Sequence, residues 1–305
     1  MGSLVSVVIA TRNRAEHLRR CIQALRRCAH PPGWTTELIV VDNGSTDSTA
    51  TVVASEGEAS DWLRIRYLVQ RRQGKAFAIN TGTAAAGGSL IAFLDDDVHA
   101  EPGWLHAIIE RFEQAPALDL LTGRVVAVAG GTRTATTRAS EETVLDPNRS
   151  LQGLALGCNL AVRREVMAAV GGRDTRLGPG RGLAYEDIDF VYRVLRAGFR
   201  GRFSPQPVVV HHLGERNRRV EYVRGRGAYY VKFIVRADRT IARQACRELI
   251  ALCRDAGGNG GRQWRSSASS AWHLAVGATI MTGRMLATVV RRNTPRRKPA
   301  AQAWE

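Results

Sequence analysis

The sequence lacks the glycine-rich phosphate loops of the common nucleotide-binding enzymes. GxxxxGK[ST] occurs nowhere in it, which excludes a P-loop enzyme. The first apolar run, Val5–Ala10, leads into Thr-Arg-Asn-Arg rather than GxGxxG. That argues against a dinucleotide-dependent dehydrogenase, and a nucleotidylyltransferase would also need glycines there. Cysteine is sparse: Cys21, Cys28, Cys158, Cys246 and Cys253 form no CxxC and no zinc spacing. Their odd number points to a reducing compartment. The first apolar run is too short to span a membrane and has no basic lead of a secretory signal, so the cytoplasm is the expected location.

What is present is the composition of a folded protein, with 44% of 305 residues apolar and 24% charged. A chain of this length can bury a large core. The formal net charge of +16 is unevenly placed. Residues 1–212 carry 25 Lys and Arg against 22 Asp and Glu, whereas residues 213–305 carry 19 against 6. A balanced first part and a basic second part predict two domains, divided after residue 212.

Four apolar runs alternate with helical spacing over the first hundred residues. Val5–Ala10, Glu37–Val41, Ile65–Val69 and Ser89–Leu94 read as strands buried on both faces. Between them Leu18, Ile22 and Leu25 share a helical face, a second helix opens near Ala50, and a third runs Lys75–Ala86 before Gly87 and Gly88. This alternation predicts an α/β fold with a single, mostly parallel central sheet and helices on both faces. Ligands of such sheets gather at the carboxyl ends of strands. Polar clusters stand at those ends: Thr11–Arg14, Asp42–Ser45, Arg71–Lys75 and Asp95–Asp97. Further strands are predicted over Leu120–Val128, Gly157–Val162 and Val208–Val210. Helices are predicted over Arg164–Val170 and from Glu186 onward, with Asp189 on the helix surface. Residues 130–150, rich in Gly, Thr, Arg and Ser, read as a mobile loop near the site.

Each polar cluster has a chemical use and a plainer alternative. Three adjacent carboxylates at a strand end repel, and either a hard divalent ion or a solvated turn relieves that cost. Arg71, Arg72, Gly74 and Lys75 lead into a helix start, a place that suits a diphosphate or a solvated basic turn. Asp42 can accept hydrogen bonds from a ligand at the strand end, or serve the turn that opens the next helix. Glu186 and Asp187 could move a proton, or simply favour the positive end of a helix.

The segments VSVVIATRNR, ELIVVDNGSTD, QGKAFAINTG, IAFLDDDV, GCNLAVRRE, YEDIDFVYRVLRAG and VVVHH, in that order over residues 4–212, resemble glycosyltransferase family 2. The resemblance implies a nucleotide-diphospho-sugar transferase fold of GT-A type over residues 1–212, holding both donor and acceptor, with a helical extension over 213–305. It implies a metal-dependent, inverting glycosyltransferase that moves a sugar from a nucleoside diphosphate to a hydroxyl of a glycan or lipid-linked sugar. Cell-envelope polysaccharide or glycolipid synthesis would be its setting. Carried onto this chain, Thr11, Arg14, Asp42, Lys75, Asn80, Asp95 and Asp96 would bind the nucleotide sugar. Asp95, Asp97 and His211 would hold Mn²⁺ or Mg²⁺, with His212 as the alternative to His211. Asp187 would take the proton of the acceptor hydroxyl, with Glu186 and Asn159 on the acceptor side.

The basic second part falls outside this resemblance. Ala271–Val290 is largely apolar, but His273, Gly277, Arg284 and Thr288 fall on one helical strip. A central arginine costs about 2.5–3.5 kcal/mol to insert, so a helix lying on the membrane is expected rather than a spanning one. Arg291, Arg292, Arg296, Arg297 and Lys298 would add attraction to an anionic leaflet. The expectation is peripheral attachment to the cytoplasmic face, with packing on the catalytic domain or on a second subunit as the plainer use of the same apolar face. A catalytically inactive, membrane-tethered scaffold and a basic nucleic-acid-binding protein are the rival readings. The full set of acids speaks against the first. Few aromatics placed for stacking speak against the second, so no nucleic-acid partner is expected.

Overall fold

Continuous β-branched residues make the first strand one that both faces cover: Val5, Val7, Val8 and Ile9 are fully buried. The computed structural model describes residues 3–29, 32–58, 62–129, 132–212, 219–257 and 261–293. Its first half alternates as expected: β1 (Ser3–Thr11), α1 (Ala15–Arg26), β2 (Trp34–Asp42), α2 (Thr49–Glu58), β3 (Leu63–Val69), α3 (Lys75–Ala85) and β4 (Leu90–Asp95). The chain continues through β5 (Val98–Ala100), α4 (Trp104–Gln114), β6 (Leu120–Ala129), β7 (Thr132–Ala135), β8 (Thr143–Val144) and β9 (Asn159–Arg163). It then forms α5 (Arg164–Val170), α6 (Glu186–Arg196), β10 (Gly201–His212), α7 (Arg219–Ile234), α8 (Arg239–Gly257) and α9 (Gly261–Asn293).

Among the described residues the strands form one sheet in the order β3-β2-β1-β4-β9-β6-β10-β5, with β7 on β6 and β8 on β10. The first four strands run parallel, as does β10 with β6. β9 enters antiparallel between β4 and β6, and β5 closes antiparallel on β10. Alternation along each strand sorts the two faces. Val7, Ile9, Leu38, Val40, Ala92 and Leu94 meet Leu18, Ile22, Trp104 and Ile108 from α1 and α4. Val8 and Val41 point the other way, toward α3. There Gly82 lets the helix settle on the sheet, since a Cβ on it would fall 2.5 Å from Val8 Cγ1.

The segment expected as a mobile loop at 130–150 folds in part as edge strands. Thr132–Ala135 pairs antiparallel with β6, and Thr143–Val144 with β10. Threonine and valine suit a pleated edge that is already present. β5 and the amphipathic α4 are further elements beyond the sequence expectation. Asp189 is also corrected: it is fully buried in α6 and pairs with Arg193 at 3.0 Å, so it does not lie on the helix surface.

Two compact units divide the chain, Met1–Tyr222 and Val223–Glu305. The expected boundary after residue 212 abuts 213–218, which lie outside the described residues. Inside the second unit α7 and α9 cross at glycines. A Cβ on Gly227 would lie 1.9 Å from Leu274 O, and one on Gly277 1.8 Å from Arg224 O. Arg226 and Glu248, 2.7 Å apart, tie α7 to α8. Among the described residues no helix is long and apolar enough to cross a membrane. Arg296, Arg297 and Lys298 lie outside the described residues, as do the side chains of Arg291 and Arg292.

Candidate active site

The carboxyl ends of β1, β2 and β4 open on a cavity of about 320 Å³, with Pro179 and Gly180 on its far wall. Thr11, Arg14, Asn43, Lys75 and Asp95–Asp97 line it. Here acids and bases of the chain neutralise one another. Thr11 Oγ1 donates to Asp96 Oδ2 at 2.8 Å, and Arg14 Nη1 reaches Asp96 Oδ1 at 2.9 Å and Asp97 Oδ2 at 2.6 Å. Lys75 donates to Asp95. Burial pushes the Asp96 carboxyl above its ordinary range against the pull of Arg14. Burial also opposes ionisation of Asp97, yet His211 and Arg14 beside it hold that carboxyl well below the usual range, and Asp97 in turn raises His211.

Loops of neighbouring strands hold this cluster in register. Asp42 is nearly buried, accepting from Ser45 N at 2.7 Å and from Tyr67 OH at 2.6 Å. Asn43 donates to Gln70 O and Arg72 O and accepts from Gly74 N, which sets the loop before α3. Asn13 adopts φ of 51° and accepts from Thr46 N, joining the loops after β1 and β2. Asn43 was not singled out in the sequence; its place after a strand in an Asp-Asn-Gly turn was the available signal.

The second half of the site stands at the start of α6. Asp187 Oδ2 accepts from Gly157 N at 3.0 Å and Oδ1 from Ile188 N at 2.8 Å. Glu186 is buried beside it, and burial followed by the Asp187 charge raises its carboxyl. Lys75 feels both Asp95 and Glu186, so it links the two halves electrostatically. Tyr222, half-exposed after a backbone bond from Ala184 N to Glu221 O, also feels the Asp187 charge.

Two residues expected at the substrate are hydrogen-bonded to the fold. Asn159 is 1% exposed, its Oδ1 accepts from Trp104 Nε1, and its Nδ2 donates to Arg124 O and Pro207 O, all at 2.9 Å. It ties α4, β6 and β10 to β9, with both amide hydrogens committed to the fold. Asn80 lies off the cavity wall, and its amide clamps the Arg173 backbone, donating to the carbonyl at 2.9 Å and accepting from the N–H at 2.7 Å. Arg173, which follows Gly171 and Gly172, and Arg193, which braces that turn, were not singled out as site residues.

A divalent cation is tested by the donors present. Among the described residues no three His, Cys, Asp or Glu side chains are grouped so as to hold an ion as they stand. One atom is nonetheless left over. Asp97 Oδ1 is buried without a hydrogen bond, and His211 Nε2, 3.4 Å away, is too poorly aligned to supply one. The pairing of His211 with Val98 across β10 and β5 brings these two residues together. Carboxylate oxygen with imidazole nitrogen is a donor set that Mn²⁺ or Mg²⁺ accepts. The residues therefore fit such an ion once Arg14 and Lys75 release the acids. The His212 side chain, the alternative to His211, lies outside the described residues.

Comparison with known proteins gives a consistent picture. The sequence profile for Glycosyl transferase family 2 matches residues 6–170, and that for Glycosyl transferase family group 2 matches residues 90–285. Glycosyltransferase AglE of Haloferax volcanii is 30% identical over 209 residues, 68% of this chain and 66% of that protein. The Pre-mycofactocin glycosyltransferase of Mycobacterium tuberculosis is 31% identical over 216 residues, 68% of this chain and 42% of that protein. The chain thus spans less than two thirds of both relatives. Among solved structures, residues 1–349 of S. aureus TarS in complex with UDP-GlcNAc superpose with a TM-score of 0.63 at 14% identity, covering 98% of this chain and 94% of that one. The mannosyltransferase PcManGT from Pyrobaculum calidifontis, in complex with GDP-Man and Mn²⁺, gives 0.57 at 18% identity, covering 96% and 81%. At such identities these two speak for a shared GT-A type fold alone.

Proposed function

The chain belongs to glycosyltransferase family 2, and on that premise we propose that it moves a sugar from a nucleoside diphosphate to an acceptor hydroxyl with inversion, aided by a divalent cation. The observation that carries this reading is the meeting of two clusters. Asp95–Asp97 with Arg14 and Lys75 line a cavity at strand ends, and Asp187 follows Glu186 on α6, whose charge reaches Lys75. Lys75 and Arg14, now paired with acids, are the cations that a donor diphosphate would draw. Asp95, Asp97 and His211 would hold the ion, which when bound supplies charge to the departing diphosphate.

Asp187 then acts on the acceptor. Its Oδ2 is oriented by Gly157 N and its Oδ1 by Ile188 N, so one carboxylate is held in a single rotamer and keeps lone pairs for a hydroxyl proton. Attack from the α6 side, with departure toward Lys75 and Arg14, is a single displacement and inverts the anomeric centre. UDP-GlcNAc and GDP-Man in the related folds favour a uridine or guanosine diphosphate sugar as donor. A glycan or lipid-linked sugar of the cell envelope is proposed as acceptor, and the second unit as an attachment to an anionic membrane surface on the cytoplasmic side. A homo-oligomer is compatible with this arrangement.

A panel of nucleotide sugars with and without Mn²⁺, scored by thermal shift and slow donor hydrolysis, tests the donor. Asp187→Asn keeps size and hydrogen bonding but accepts no proton, so turnover should fall by roughly 10²–10⁴-fold while donor affinity holds. Near-normal turnover of that variant would remove Asp187 from the role.

A further inference from the structure

Two adjacent carboxylates in a buried place share a proton unless a cation stands near. Glu186, buried, and Asp187, part-buried beside it, are adjacent carboxylates, and Asp95 is a third acid that acts on the same cation. Lys75 is directly engaged by Asp95, so it does not answer for the pair alone. Among the described residues of the first unit the buried cation is Arg173, 5% exposed, with its Nε atom buried and without a hydrogen bond.

Its surroundings hold it there without neutralising it. The guanidinium carbon lies 5.2 Å from the ring centroid of Phe93 and 4.9 Å from that of Phe190. Asn80 clamps its backbone, and Gly172 must be glycine for this, because a Cβ there would fall 2.3 Å from Asn80 Oδ1. From the other side Arg193, paired with the buried Asp189, donates to Val170 O at 2.7 Å and Gly172 O at 2.6 Å. Gly157 completes the arrangement. A Cβ on it would stand 3.4 Å from Arg173 Nη1 and 3.3 Å from Asp187 Oδ2, so its bare Cα is the window across which cation and carboxylate face each other.

We propose that Arg173 is a positioning residue, a buried positive charge set behind Gly157 against which Glu186 and Asp187 stand together as acceptors of a proton. Such a charge would be costly in an apolar core unless acids nearby repaid it. Burial lowers the affinity of Arg173 for its proton, and Asp187, Glu186 and Asp95 oppose that. Among the described residues Glu186 on its own helix, Arg173, Cys158 beside Gly157 and Tyr222 bear on Asp187, while Lys75 at the start of α3 bears on Glu186 and Asp95 at the end of β4 on Arg173. Among them Arg173 and Lys75 are the cations.

The inference rests on Asp187 being the base, and the experiment separates the two. The full chain carrying Arg173→Gln, Arg173→Met or Arg173→Lys is compared with wild type for turnover, donor KM, melting temperature and the acidic limb of the pH–rate profile. The neutral variants should fold, keep donor KM within about twofold, and move the acidic limb upward by about 1–2 pH units, so that turnover falls about tenfold or more on the acidic side of the wild-type limb and recovers as the pH is raised. Arg173→Lys should leave the limb near its wild-type place. A limb unmoved in Arg173→Gln, with Asp187→Asn inactive, overturns the role of Arg173 and leaves the base in place. A variant set in which Arg173→Lys loses as much as Arg173→Gln, in step with melting temperature and without a pH shift, also overturns it. Full turnover in Asp187→Asn overturns the base and the inference with it.

Discussion

Acids at the end of a buried strand must be balanced by something, and here the balancing groups differ from residue to residue. Asp95 meets Lys75, Asp96 meets Thr11 and Arg14, and Asp97 has one oxygen left over near His211. The left-over oxygen is the one that motivates metal dependence. Asp97→Ala should abolish turnover and weaken nucleotide-sugar binding with melting temperature little changed, and wild-type enzyme should stop in excess chelator. Undiminished turnover under chelation would sink metal dependence. Asn159 makes the opposite case. Asn159→Ala strands the Trp104 N–H and two carbonyls, so it should destabilise the fold by about 1–3 kcal/mol in denaturant melts. Acceptor KM should follow stability rather than change by itself.

Elements are tied at the far end of the sheet by a buried polar network. Ser6 Oγ donates to Glu37 Oε1 at 2.7 Å, Gly87 N donates to the same oxygen, and Arg66 Nη1 reaches Glu37 Oε2 at 2.9 Å. This joins β1, β2, β3 and the turn after α3. Burial works to raise the Glu37 carboxyl, but Ser6, the Gly87 amide and Arg66 together hold it below its ordinary value. A depressed carboxyl contributes stability above its unfolded pKa, about 4.3, and that contribution is lost as pH falls through the lower folded value. Wild type should therefore lose stability as the pH falls below about 4, while Glu37→Gln starts less stable at neutral pH and shows a flatter acid limb in thermal melts. A parallel acid limb in both proteins would refute the assignment. Gly82 offers a test of packing between α3 and the sheet. Gly82→Val pushes methyl groups into Val8 and Val41 and should cost about 1–3 kcal/mol.

At the scale of the whole molecule, charge and exposed apolar surface coincide in the second unit. Val235, Leu249, Ile250, Trp272 and Leu286 are each at least half exposed there, in the part of the chain that carries 19 Lys and Arg against 6 Asp and Glu. Apolar side chains among basic ones suit the interface of an anionic bilayer. Full-length protein should cosediment with vesicles containing anionic lipid at low salt and release as salt rises. The double variant Leu249→Asp, Ile250→Asp should bind less while retaining donor hydrolysis. Failure of the wild type to bind anionic vesicles would remove membrane attachment from the proposal.

Local pattern was enough for the alternating first half of the fold and for the acids that stand at its strand ends. Strand ends announce themselves by a run of β-branched residues stopping at polar ones, as at Thr11, Asp42 and Asp95, and the sheet geometry brings such ends together without further instruction. Long-range partnership was beyond its reach. That Asn80 grips the backbone of Arg173, that Asn159 stitches four elements, and that Asp189 lies buried under Arg193 depend on which chain segments meet in space. A polar side chain in a sequence shows what it can bond but not what stands opposite it. Only the tertiary structure decides whether its hydrogen bonds go to the fold or remain for a substrate.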